Sequence, residues 1–170
     1  MGLLQKLFGD RPGEAVAPLY DAIVARARAP HWYTEGSVPD TLDGRFDMIA
    51  AILSLVLIRL EQDPAGAAPS AHLAERFVAD MDGQLREIGI GDIVVGKHVG
   101  RMMGMLGGRL GAYREALAEG GDLRAPVIRN IYRGSSPDEA ALAHVCAALR
   151  AQHARLRAVS IERLAAGDLP

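Results

Sequence analysis

Cysteine is almost missing from this chain: Cys146 stands alone, and aromatic residues make up 5% of the sequence with one tryptophan, Trp32. A single cysteine excludes a disulfide framework and any multi-cysteine metal site. The five histidines form neither a His-Glu-x-x-His nor a Glu-x-x-His pair, so no metal is expected. No Gly-x-Ser-x-Gly elbow occurs, and Cys146 falls in a helical stripe beside Val145, the setting of a structural thiol and not of a nucleophile. Long apolar runs are lacking too. The most apolar stretch, Met48 to Ile58, is flanked by Asp47 and Arg59 and falls well short of the ~20 residues a membrane span needs. Residues 1–8 carry no extended apolar region or small-residue cleavage site, so no signal peptide is expected. Lys6 occupies the position where a myristoylation motif requires Ser or Thr. With no catalytic set in view, binding is the expected activity, without cofactor, nucleotide or DNA.

What is present suits one domain. A length of 170 residues with 49% hydrophobic and 24% charged residues supports a single core, expected over residues 14–170 behind an N-terminal arm of residues 1–13. The net charge of -2 hides an asymmetry. Up to Gly96 there are 8 basic against 14 acidic residues, and from Lys97 onward 11 against 7. The basic half suits either solvated helix faces or an anionic partner such as a phospholipid surface or RNA.

The chain is organised around Val38-Pro39-Asp40-Thr41-Leu42-Asp43-Gly44-Arg45-Phe46-Asp47, which runs directly into MIAAILSLVLIRL. Pro39 favours an extended Val38, Asp40 can cap the helix, and Asp43 sits in the first turn, where the helix dipole favours an acid. Apolar residues on nearly every face of the helix that follows imply that it is buried on most sides. Before it, a helix over about Glu14–Ala29 ends at Pro30, and His31-Trp32-Tyr33 is expected to plug the end of the core. After it come a Pro, Gly and Ala connector from Asp63 to Ser70, a helix capped by Ser70 and reaching about Ile88, and one from about Lys97 to Glu119. A short helix including Val127, Ile128, Ile131 and Tyr132 precedes a last one opened by a Ser136-Pro137-Asp138-Glu139 capping box and running to about Ala166. No stretch alternates convincingly like a strand. The expected fold is all-α, about six helices around a buried central one.

Gly91 to Lys97 has the spacing of a phosphate-binding loop through Asp92, but His98 replaces the required hydroxyl and a helix, not a strand, precedes it, so a helix-to-helix turn is expected. In the following helix Val99, Met103, Leu106, Leu110, Tyr113 and Leu117 read as the core stripe. Beside them runs a line of Gly100, Gly104, Gly107, Gly108 and Gly111. Each helical glycine costs ~1 kcal/mol relative to alanine, so such a line implies that something approaches the backbone closely. The first expectation is a neighbouring helix of the same domain, the second a client held between Met102, Met105, Arg101 and Arg109. Asp82 and Arg86, one turn apart, can pair, and Arg45, Asp47, Asp80 and Arg86 are expected to join in one partly buried ionic network.

Several of these segments together resemble the ubiquinol-cytochrome c chaperone family. The resemblance rests on Leu19-Tyr20 with Ile23-Val24-Ala25, on VPDTLDGRFD at 38–47, on FVADMDGQLREIGIGDIVVGK at 77–97, on Gly108-Arg109 with Ala112-Tyr113, and on Arg129-Asn130-Ile131-Tyr132. It implies an all-helical, non-enzymatic assembly factor that binds newly made cytochrome b at the membrane, in mitochondria with a small partner subunit and near the ribosomal exit tunnel. For this chain it implies a bacterial protein at the inner face of the cytoplasmic membrane, with the membrane surface and the ribosome as further partners. A helical enzyme or carrier for a prenyl, haem or phospholipid ligand, built on Asp40, Asp43, Asp47, Asp80 and Arg86, is the alternative.

Overall fold

The computed structural model describes residues 14–87, 89 and 92–170, and the arm expected over residues 1–13 lies outside them. Seven α-helices follow one another among the described residues: α1 (Ala17–Ala27), α2 (Leu42–Leu60), α3 (Ala67–Glu87), α4 (Asp92–Leu117), α5 (Arg124–Asn130), α6 (Glu139–Arg157) and α7 (Ile161–Ala165), with 3-10 turns at Pro30–Trp32 and Pro64–Gly66. Among the described residues there is no strand, so the fold is all-α.

The second helix packs against α1, α3, α4 and α6. Every residue from Asp47 to Ile58 is buried, in keeping with apolar side chains on all its faces. Ser54 is the exception in polarity, and its hydroxyl donates to the Ala50 carbonyl one turn back at 2.7 Å. Trp32 is 1% exposed and donates its indole N–H to the Arg26 carbonyl at 2.8 Å, so the aromatic loop does plug the core.

Helix ends are where sequence and structure part. Thr41, not Asp40, caps α2 by accepting from the Gly44 N–H at 3.1 Å. That turn is so tight that a Cβ at Gly44 would stand 1.8 Å from the Pro39 carbonyl oxygen, which only glycine permits. The third helix begins at Ala67, ahead of Ser70, because Asp63 caps the preceding 3-10 turn through the Ala65 N–H and leads straight in. Gly89 has a φ of +85°, and α4 begins at Asp92, ahead of the expected Lys97. The last helix divides in two. Asp138, two residues past Ser136, caps α6 through the Ala141 N–H, and Ser160 caps a separate α7 through the Arg163 N–H.

Candidate functional site

The Val38–Asp47 motif is a tied structure. Val38 is buried, and its N–H donates to the Trp32 carbonyl at 3.0 Å. Asp47, whose side chain is fully buried, accepts from Arg109 Nη2 of α4 at 2.5 Å and from Arg133 Nε, just past α5, at 2.7 Å. The other end of the Arg133 guanidinium reaches Asp43 at 2.9 Å, and Arg133 adopts a φ of +54°. The Arg109 guanidinium also lies 5.2 Å from the centre of the Phe46 ring, which in turn sits 5.7 Å from Phe77 of α3. One carboxylate thus holds α2, α4 and the segment after α5 together. Burial pushes the Asp47 carboxyl above the ordinary aspartate range, against the opposing pull of Arg133 and Arg109.

The expected network of Arg45, Asp47, Asp80 and Arg86 does not form. Arg45 is exposed and pairs locally with Asp40 at 2.7 Å. Asp80 accepts the Tyr20 hydroxyl of α1 at 2.7 Å, and burial with that hydrogen bond raises the tyrosine pKa well above its usual value. Arg86 does pair with Asp82, at 2.9 Å. The reason is orientation: Asp47, two residues on from Arg45, lies on the opposite side of α2 and faces α4, while Asp80 faces α1. Of the acidic residues of the alternative carrier reading, Asp43 and Asp47 share Arg133, whereas Asp40 pairs with Arg45 and Asp80 with the Tyr20 hydroxyl. Arg133, which completes the Asp47 site, was not foreseen; two aspartates one turn apart call for a cation, but nothing local in the sequence says which.

Around Arg109 the orientation of α4 also differs from the expected one. Among its described side chains Met102, Leu106, Arg109, Tyr113 and Ala116 are buried, while Met103 is 41% and Met105 39% exposed. Turning Arg109 inward to Asp47 rotates the stripe, so Met102 joins the core and Met103 leaves it. Tyr113 is 1% exposed, and burial drives its hydroxyl pKa far up. Arg109 Nη1 and the Tyr113 hydroxyl are buried without a partner. Arg101 and Lys97 are exposed, whereas Gly91 and the Asp92 side chain lie outside the described residues.

Among the described residues nothing fills the glycine line. A Cβ built at Gly100, Gly104, Gly107, Gly108 or Gly111 meets no heavy atom of another element within 4 Å. The expectation of a neighbouring helix in that groove is thus overturned. Next to it, Ala71, Ala74, Val78 and Ala79 of α3 and Met103 of α4 line a shallow, largely apolar depression of about 670 Å³, edged by Glu75 and Asp82.

Sequence and structure comparisons bear on what such a face serves. Residues 34–169 match the ubiquinol-cytochrome C chaperone family. The chain belongs to this family. It is similar to the Cbp3 homolog from Brucella abortus, whose crystal structure it matches with a TM-score of 0.82 at 35% identity, over 99% of this chain and 95% of that one. A comparison with curated proteins finds no match. Family membership makes the chain a chaperone for assembly of ubiquinol-cytochrome c reductase, respiratory complex III. No helix among the described residues is long and apolar enough to cross a membrane.

Proposed function

We propose that this chaperone binds newly made cytochrome b, without catalysing a reaction, and that the client lies along the glycine line of α4. The observation that carries this reading is the open backbone at Gly100, Gly104, Gly107, Gly108 and Gly111 beside the exposed Met103 and Met105. Glycine lets a client helix approach to backbone contact, the way small residues let membrane helices pack. Methionine adds polarizable surface that fits irregular apolar partners, and the α3 depression extends the same face. An apolar client of this kind is first available where it enters the membrane, so the protein works at the inner membrane face. The Val38–Asp47 motif contributes indirectly, by fixing α4 through Asp47 and Arg109 so that its glycines point outward.

The test is photo-crosslinking during cytochrome b synthesis, with a benzophenone side chain placed at exposed Met103, beside the glycine line, or, as control, at exposed Ala147 of α6. A cytochrome b adduct from position 103 and none from position 147 is the expected result. Adducts from 147 alone would move the client site away from α4.

A further inference from the structure

A different cavity, between α1 and α6, carries two arginines that form no ion pair among the described residues. Arg26 and Arg155 line a space of about 230 Å³ together with His31, Trp32 and Gln152. Ion pairs elsewhere satisfy Arg45, Arg86, Arg109, Arg114, Arg124, Arg133 and Arg163. Arg26 and Arg155 instead reach neutral acceptors. Arg26 Nη2 donates to the Leu169 carbonyl at 3.3 Å, and Arg155 Nη2 donates to the Gln152 side-chain oxygen at 2.8 Å. The Pro170 oxygen is held by Gln152 Nε2 at 2.8 Å, and among the described residues no carboxylate comes within ion-pair distance of either arginine. The two cations feel each other: burial first, and the charge of Arg155 second, hold the Arg26 guanidinium below the ordinary arginine value.

The Trp32 indole and the Gln152 side chain are already engaged, which leaves the guanidinium N–H groups and one ring nitrogen of His31 as the free polar groups of the cavity. The Trp32 indole N–H is used by the Arg26 carbonyl, and His31 Nδ1 shares a proton with His144 Nε2 across 2.9 Å. Each guanidinium presents several N–H groups in a planar fork, the geometry that takes up two oxygens of one anion. Ordinary ligand pockets begin at ~300 Å³, so this space suits a small group and not a nucleotide or a haem.

We propose that Arg26 and Arg155 form a binding site for a phosphate group, presented either by a soluble phosphate or by the headgroup of an anionic lipid. An anion there relieves the repulsion between the two arginines and ties the end of α1 to α6. This site lies apart from the glycine face of α4, and its failure leaves the client reading untouched.

The experiment is a melting series of the purified protein in inorganic phosphate against sodium chloride of equal ionic strength. It is paired with flotation on phosphatidylglycerol and on phosphatidylcholine vesicles. Phosphate is expected to raise the melting temperature beyond chloride, or phosphatidylglycerol vesicles alone are expected to carry the protein. The first result without the second assigns the phosphate to a soluble source, and vesicle binding assigns it to a lipid. Either response should weaken about tenfold or more in dissociation constant in Arg155→Gln, because a hydrogen bond to a charged group is lost, and should vanish in Arg26→Gln/Arg155→Gln. Arg157→Gln, an exposed change on the same helix, should leave it intact. Circular dichroism checks the fold of the double variant, and exposed Arg155→Gln alone suffices if it fails to fold. No response to phosphate beyond chloride and no vesicle binding, or a response that survives Arg155→Gln unchanged, would overturn the site.

Discussion

A methyl group added at Gly44 would run into the Pro39 carbonyl oxygen at 1.8 Å, whereas one added at Gly104 would meet nothing beyond its own helix within 4 Å. Both glycines lie in helices and both fall within the residues that match the family. At the start of α2 the absence of a side chain is consumed by the fold itself, which passes the chain back over the helix end. Along α4 no described residue makes use of it, and each glycine there weakens the helix. A feature that destabilises and serves no contact among the described residues fits the proposed client face. The charged residues divide in the same way, with Asp47 and Arg109 buried in the internal latch and Arg101 and Lys97 left in solvent.

The comparison breaks most decisively at the latch. Asp47→Ala would leave Arg109 in its buried place without a counter-charge, and a loss of ~3 to 5 kcal/mol is expected from chemical denaturation. A loss under ~1 kcal/mol would show that the pair is not what fixes α4. Next comes Gly44→Ala, expected to cost at least the ~1 to 3 kcal/mol of an overpacked site, since the obstacle is backbone and cannot swing aside. Equal stability of Gly44→Ala and Gly104→Ala would erase the distinction between the two regions.

Much of this was legible before the fold was known. Apolar residues on every face of Met48–Ile58 pointed to a buried helix, and Asp82 and Arg86 at one-turn spacing pointed to their pair. The latch was not legible, because it joins residues 62 and 86 positions apart, Asp47 with Arg109 and Arg133. A helical stripe read from apolar residues alone assumes that charged ones face out, and the inward Arg109 defeats that assumption for α4. The caps of α2 and α6 stand one and two residues from the expected ones for a simpler reason. Asp40 and Thr41, or Ser136 and Asp138, are close candidates of nearly equal merit, and the incoming chain chooses between them.

Smaller effects sharpen the account. The His31–His144 contact ties the 3-10 turn before α2 to α6, and burial, then the charge of His144, hold the His31 pKa below its ordinary value. The folded protein therefore binds this proton less readily than the unfolded chain. Stability from the contact is present above the ordinary histidine range and declines as pH falls through the lower folded value. Glu35 opposes that shift and Arg26 adds to it. Melting temperature should drop modestly between pH 7 and pH 5.5, and the drop should shrink in His31→Gln. Arg45→Ala should melt like the parent, since its pair with Asp40 is solvent-exposed.

Gly104→Leu measures the central claim most directly, by recording stability and cytochrome b capture on one protein. With the glycine line open, the free protein should hold its stability or gain up to ~1 kcal/mol from better helix propensity, while capture of newly made cytochrome b falls sharply. A Gly104→Leu protein that loses stability, or that keeps it and still captures cytochrome b normally, would contradict the assignment of α4 as the client-binding face.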